Sequence, residues 1–356
     1  MKVHLVRPRE LSGDLVAAWE EILRDEPALD SPYFRPEFVQ AVASVRTDVE
    51  IGVLEDGNRA VGFFPFQRGR WSVARPVGGR LSDFQAIIAR RDTPWSVPEL
   101  LRGCHLSAWE FDHLLIHQAS LEPFHAVVAE SSYLDVSHGF EAYQRERRKA
   151  GSDSLVQVLR KHRKIEREVG PTRFIAHTDD ESVFDQLLAW KSAQYRLTNL
   201  TDIFRYPWTV ELLKRIWRTQ LPGLSGLLSA VYVNDQLLAI HFGMRTPSVV
   251  HWWFPAYNRA YDKYSPGLML LADLGRAAEG LGIRRIDLGK GDEVFKRSFA
   301  SGSVGVAEGA VDMRPLAGAV RGSWRTARRW LKSSARGPVR VPLIWLRKVR
   351  DRWAFR

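Results

Sequence analysis

A single cysteine, Cys104, stands in 356 residues, which excludes an intramolecular disulfide and any site built from several thiolates. No apolar run reaches the roughly 18–20 residues needed to cross a bilayer. The opening Met1–Pro8 lacks the apolar core of a signal peptide. Net charge is also missing from most of the chain. Of the formal +11, all falls after Arg314, because twelve Lys/Arg and one acid, Asp351, follow from Pro315 onward. Residues 1–314 are therefore neutral overall, and a body without basic excess does not coat nucleic acid with its whole surface. No Gly-x-Ser-x-Gly elbow and no phosphate-binding P-loop is present. Gly289-Lys290-Gly291 lacks the third glycine of a dinucleotide fingerprint. His113 and His117 have the spacing of a zinc pair, but they lie in a strand-like run with no glutamate after His113. No metal is expected, and thiols kept reduced point to the cytoplasm.

What is present is an ordinary globular composition, 45% apolar and 26% charged, in a chain long enough for two domains. Helical patterns at Asp14–Arg24 and Pro36–Val45 precede two strands, Val49–Leu54 and Arg59–Phe66, joined by a turn containing Asp56-Gly57. Extended segments at Trp71–Val77 and Gln85–Ala89, a short helix at Ser96–Arg102 and a strand at Trp109–Leu115 follow. From Leu155 to Val169 apolar residues recur at helical spacing, and Arg160, Lys161, Arg163, Lys164 and Arg167 fill the other face. Two helices (Phe184–Tyr195, Pro207–Thr219) lead to a meander of Leu227–Val233, Gln236–Arg245 and Val249–Tyr257. A helix from Pro266 to about Leu281, with Ser265 before it and Gly282 after it, precedes a strand at Ile283–Leu288. The order of elements repeats although the residues do not, which points to a duplicated architecture. The expected division is 1–140, 141–314 and a tail at 315–356.

The helix start at Ser265-Pro266-Gly267 has two readings. It is a plain N-cap, or its bare first turn and positive dipole end receive an anion such as a pyrophosphate. Resemblance bears on the choice. Ser31–Phe38, Val61–Phe66 and Pro76–Phe84 resemble the N-terminal part of the CelD-type acetyltransferases. These are relatives of the GCN5-related (GNAT) acetyltransferases linked to cellulose and exopolysaccharide biosynthesis. Trp190–Tyr195, Tyr261–Gly267 and Ile286–Lys296 resemble the second half of that family, so the likeness runs from about Ser31 to Phe299. It implies an α/β (α+β) fold of two tandem GNAT-like lobes, with mixed, mainly antiparallel sheets flanked by helices, as also in FemAB-type transferases. It implies acyl-CoA, acetyl-CoA among them, as co-substrate. The pantetheine arm would lie along Val249–Tyr257, and Tyr257, Ser265, Pro266, Gly267 and Leu268 would hold the CoA.

Transfer of an acyl group to an amine or hydroxyl needs a proton acceptor and an oxyanion holder. Four residues are candidates. Asp83 lies in a loop after two glycines and a serine, as base or as loop brace. His241 lies mid-strand, facing a cleft or satisfied in the core. Asp287 and Lys296 flank the Gly289–Gly291 loop, either orienting an anionic substrate or forming a structural ion pair. Lys191, Tyr195 and Tyr261 are candidates to line the acceptor side, although a Tyr four residues after Lys191 also suits packing.

In the tail, Val320, Trp324, Ala327 and Leu331 share one helical face and Arg321, Arg325, Arg328, Arg329 and Lys332 another. Four of the thirteen Trp lie there. Such a basic amphipathic segment suits an anionic membrane surface, packing on the body, or RNA. The function expected is acyl transfer to a cell-envelope or exopolysaccharide precursor at the inner face of the membrane. The alternatives are a FemAB-like aminoacyl-tRNA-dependent transferase and a non-catalytic scaffold tethered to the membrane.

Overall fold

A computed structural model of the chain describes residues 1–314. The basic tail expected at 315–356 lies outside the described residues. The fold is α/β, with mixed sheets flanked by helices. The chain forms two compact units that interleave in sequence. Unit 1 takes Met1–Leu29, Val39–Ala129 and residues 305–314, and unit 2 takes Asp30–Phe38 and Glu130–Val304.

Unit 1 carries strands β1 (Lys2–Val6), β2 (Val49–Asp56), β3 (Arg59–Gly69), β4 (Val73–Arg75), β5 (Ile88–Ala89), β6 (Ala108–Leu115) and most of β13 (Gly302–Asp312). Their order is β1-β2-β3-β4-β6-β13, with β5 beside β3. All neighbours are antiparallel except β4 and β6. Helices α1 (Gly13–Asp25), α2 (Pro36–Ala43) and α3 (Val97–Gly103) fall in this stretch of sequence, with Pro36–Phe38 counted in unit 2. Ser12 caps α1 by accepting from the Leu15 N–H. Trp19 of α1 stacks on Phe63 of β3 at 4.5 Å between ring centroids. Cys104 is buried, and burial pushes its thiol up to about 12, so it stays an uncharged packing group. It fills the space a side chain at Gly52 would need, 2.5 Å from that position.

Unit 2 carries β7 (His125–Asp135) from Glu130 on, β8 (Thr172–Ile175), β9 (Ser225–Val233), β10 (Gln236–Arg245), β11 (Val249–Tyr257) and β12 (Arg285–Lys290). Their order is β7-β12-β11-β10-β9-β8, again with one parallel pair, β11 and β12, among antiparallel neighbours. Its helices are α4 (Phe140–Lys149), α5 (Ser154–Glu168), α6 (Glu181–Leu197), α7 (Pro207–Arg218), α8 (Pro266–Ala277) and α9 (Val294–Phe299). Helix α8 packs on β9, β10 and β11, contributing Met269, Leu270, Leu271 and Leu274 to a core with Leu134, Leu155, Val231 and Ile286. On α6 and α7, Phe184 and Trp217 stack at 4.8 Å, and Phe184 meets Phe242 of β10 edge-on.

The two units share one plan: a four-strand meander, a fifth strand parallel to the fourth, and a sixth antiparallel to the fifth. The repeated element order expected from sequence thus has a structural counterpart. The sixth strands are exchanged, however. β7 follows β6 in sequence yet pairs with β12, while β13 follows β12 and pairs with β6. No helix among the described residues is long and apolar enough to cross a membrane.

Candidate active site

The parallel register of β11 and β12 runs only from Val249–Arg285 through His251–Asp287. On its other edge β11 stays laddered to β10 as far as Tyr257 opposite Ala239. From Trp252 to Tyr257 the strand is thus paired along one edge in the register described, and the other edge opens where β12 diverges. A bulge prepares the divergence. Phe254 lies opposite Phe242 and His251 opposite Met244, so Trp252 and Trp253 face Gly243 alone. Only glycine fits there, because a Cβ at 243 would meet the His251 carbonyl at 2.3 Å and the His241 ring at 2.7 Å.

The bulge turns the Trp253 N–H onto His241, whose Nε2 accepts it at 3.3 Å. His241 is fully buried and stacks on Trp252 at 4.0 Å. Burial, and then His251, push its pKa well below the ordinary value, so the ring stays neutral, as an accepting Nε2 requires. The sequence left His241 between a cleft and the core; the structure places it in the core, supporting β11 from behind.

The opposite end of β11 meets the start of α8. Tyr257 closes the strand, and its ring edge lies 3.4 Å from where a Cβ on Gly267 would stand. Gly267 leaves the first turn bare on that side. Ser265 departs from the expected N-cap. Its backbone is left-handed (φ 58°) and its side chain makes no capping bond, since Pro266 and Gly267 fix the turn without one. The Ser265 Oγ instead accepts from the Lys161 ammonium at 2.7 Å. A lysine of α5 therefore stands beside the positive end of α8, an arrangement that favours negative charge. Leu268 and Met269 already return their N–H groups to the Ser265 carbonyl, each at 3.1 Å. Next to this turn, Tyr264 donates to Glu168, while the Tyr261 hydroxyl donates to Gln236 at the start of β10. Tyr261 is thereby committed to the β10 side.

Helix α6, capped by Asp180, packs on β10 and β11 and supplies Lys191. This lysine is 8% exposed. Its ammonium donates to Gln194 at 3.0 Å and sits 5.1 Å from the centre of the Tyr195 ring. No carboxylate pairs with it among the described residues, and burial pushes it down to about 8. Tyr195 continues through Phe204 to Phe254 of β11, at 5.9 and 5.6 Å between centroids. This aromatic chain carries the lysine to the same stretch of β11 that lacks a second ladder.

Asp287 and Lys296 answer to other partners. Asp287 is 1% exposed and forms an ion pair with Arg285, whose Nε lies 2.9 Å away and whose Nη2 donates to it at 3.4 Å. Burial pushes its carboxyl up, and Arg285 and His251 oppose that shift. Arg285 also donates to the Asp30 carbonyl at 2.7 Å, and Ser248 donates to the Asp30 carboxylate. Tyr33 meets the His251 ring edge-on at 5.0 Å. Lys296 is buried and donates to the carbonyls of Gly289 and Lys290, at 3.3 and 3.0 Å, while pairing with Glu293 at 3.1 Å. It thereby pins the loop after β12. Asp83 lies in unit 1, where its carboxylate stands 3.9 Å from the His113 Nε2.

Unit 2 thus sets Tyr257, Ser265, Pro266, Gly267 and Leu268 at the end of β11, while Lys191 and Tyr195 reach Phe254 of the same strand through Phe204. Sequence reading missed Lys161, Gly243, His251, Arg285 and Asp30. Lys161 was visible only as one of five basic residues on a helix face. Gly243 in an apolar strand run was the available signal for a bulge.

Residues 153–297 match the family described as the acetyltransferase (GNAT) domain. FemX superposes with a TM-score of 0.55 at 9% identity, covering 88% of this chain and 97% of its own. The C-terminal domain of a protein described as a lysylphosphatidylglycerol synthetase, from Agrobacterium fabrum, does so at 0.51 and 12% identity, covering 86% of this chain and 94% of its own. A tandem GNAT protein of the clavulanic acid biosynthesis pathway scores 0.48 at 11% identity over 88% of this chain and 99% of its own. No curated protein sequence matches. At such identities the likeness to solved structures concerns the fold.

Proposed function

We propose that the chain is an acyltransferase that moves an acyl group from acyl-CoA to an amine or hydroxyl of a cell-envelope or exopolysaccharide precursor. The observation that carries this reading is the pairing of an opened β11 edge with an adjoining α8 turn that favours negative charge. Strand groups left unladdered along Trp252–Tyr257, apart from the Trp253 N–H held by His241 and Pro255, which has none, suit an amide-bearing arm, which would add to the edge as an extended peptide does. The pyrophosphate of the same molecule would rest on the Gly267 turn with Lys161. A backbone N–H of this stretch other than that of Trp253, which His241 accepts, would stabilise the oxyanion formed when the nucleophile attacks the thioester carbonyl. The thiolate leaves as the carbonyl re-forms. Lys191 is the group suited to take the nucleophile's proton, because its burial keeps a sizeable neutral fraction near neutral pH. Asp287, Arg285 and His241 hold the strands that define the opening.

The test is titration of the full chain and two variants, Gly267→Glu and Lys161→Glu, with acetyl-CoA and longer acyl-CoAs. Saturable binding that falls at least tenfold in both variants is expected, since losing one charge-assisted bond costs about 1.5–3 kcal/mol. Absence of binding by every acyl-CoA refutes the reading and leaves aminoacyl-tRNA as the donor to test at the same turn.

A further inference from the structure

A second cleft, of about 370 Å³ and open to solvent, lies among α4, α5 and α8 within unit 2. It is not the donor turn. Its α8 residue, Arg276, and the neighbouring Asp273 lie eight or more residues beyond Ser265, about 12 Å or further along the helix axis. Val156 and Leu159 supply its apolar lining, and Gln144, His162 and Glu166 further polar groups. Arg148, Arg163 and Arg276 complete it. Three exposed guanidinium groups line one small cleft, where an anion can join them. Neither Arg148 nor Arg163 forms an ion pair among the described residues. Arg276 is fixed in place, its Nη1 on Asp273 at 2.8 Å and its guanidinium 5.6 Å from the Phe140 ring centre. Asp273 therefore positions Arg276 and offsets much of its charge, which leaves Arg148 and Arg163 as the cleft's unpaired cations.

Helix α5, which carries Arg163, also brings acceptors to the cleft. Thr172 donates to one Glu166 oxygen at 2.8 Å, and the His162 Nε2 lies 2.8 Å from the same threonine hydroxyl. With Thr172 donating to Glu166, His162 must be the donor to Thr172, and its Nδ1 lies 3.7 Å from Asp273. One carboxylate oxygen of Glu166 and the amide of Gln144 remain for a ligand's hydroxyl groups. Two carboxylates, Glu166 in the lining and Asp273 on Arg276, leave three arginines only a small positive excess, which disfavours a bare polyanion and suits a molecule with an anionic end and a hydroxylated body. The volume is that of a small-molecule site. From this arrangement we propose that the α4–α5–α8 cleft binds a phosphorylated sugar, with its phosphate on Arg148, Arg163 and Arg276 and its hydroxyls on Glu166 and Gln144.

The experiment is calorimetric titration of the full chain with glucose 1-phosphate, inorganic phosphate and glucose, and with a short single-stranded RNA for comparison. Variants are R148A/R163A in the cleft, E166Q at its acceptor carboxylate, and R9A/R102A in unit 1 as a charge-matched control. The result expected is saturable binding of glucose 1-phosphate, tighter than that of phosphate or glucose. It should weaken at least tenfold in R148A/R163A, weaken in E166Q and persist in the control. Thermal melting of each variant separates loss of the site from loss of the fold. No saturable binding, or binding indifferent to R148A/R163A, overturns the site. Inorganic phosphate binding as tightly as the sugar phosphate overturns the sugar assignment. RNA binding that is tighter and equally sensitive to R148A/R163A overturns the small-molecule reading in favour of a nucleic-acid surface. Acyl-transfer activity enters none of these readouts, so failure here and failure of the acyl-CoA reading are distinguishable.

Discussion

Lys191 is held in the folded protein at a cost that can be measured. A lysine with an ordinary pKa of 10.5 that burial pushes down to about 8 binds fewer protons when folded than when unfolded, anywhere between those values. Stability must then rise with pH through that window, and below it the buried charge costs about 3 kcal/mol. Lys191→Met removes the charge and keeps most of the volume. We expect the variant to be more stable at pH 7, by up to about 3 kcal/mol, with no gain in stability between pH 8 and 10.5. We also expect it to lose acyl transfer. Urea unfolding across pH 7–10.5 checks the first pair of outcomes. A variant no more stable than the parent would show that the ammonium is solvated after all. Gly243 is the converse case, a position where any side chain is too much. Gly243→Ala should destabilise the protein by about 3 kcal/mol, the range of core overpacking, because backbone at His251 and the buried His241 ring leave no room. If thermal unfolding of that variant matches the parent, the β11 bulge is not as tight as described.

At the scale of elements, the helices were largely legible because their signals are local. The period of Leu155–Val169 and the Pro266–Gly282 bracket needed no partner to be read, and α5 and α8 begin within one residue of those readings. The α8 start shows where local chemistry misleads. A serine before a proline reads as a cap, yet Ser265 adopts a left-handed backbone and hands its hydroxyl to Lys161. That interaction spans 104 residues, so neither stretch of sequence announces it. The missed strands have a similar cause. β1, β7, β8 and β13 depend on pairing with distant strands, and β7 carries exposed Val127 and Val128 that blur its alternation. Helix α4 is so rich in charge that its sequence shows little apolar period to read. The left-handed turn also gives a prediction. Ser265→Gly relieves a backbone penalty of about 1 kcal/mol while freeing Lys161 from its hydroxyl partner. The expected outcome is a raised or unchanged melting temperature, with acetyl-CoA affinity altered at the donor turn. A clear loss of stability would mean that the Lys161 bond outweighs the strain.

Over the whole chain, the exchange of sixth strands makes a dependence that no boundary drawn in sequence conveys. A cut between 140 and 141 would leave residues 1–140 without β13, whose Val306, Ala307 and Val311 are buried in unit 1. The same cut would leave residues 141–314 without β7, the antiparallel partner of β12, and without Asp30–Phe38. Arg285 would then lose its bond to the Asp30 carbonyl, and Ser248 its carboxylate partner. Burying one valine or leucine contributes about 1.5–3 kcal/mol, so two or three of them approach the 5–15 kcal/mol that holds an ordinary domain folded. An exposed β12 or β6 edge adds a surface prone to aggregation. Each fragment expressed alone should therefore be insoluble or lack a cooperative unfolding transition. Mixing the two during refolding should restore the circular dichroism of the parent, because every missing strand is present in the other fragment. If residues 141–314 alone unfold cooperatively and bind acetyl-CoA, then β7 is dispensable to unit 2 and the exchange is an accessory of the fold.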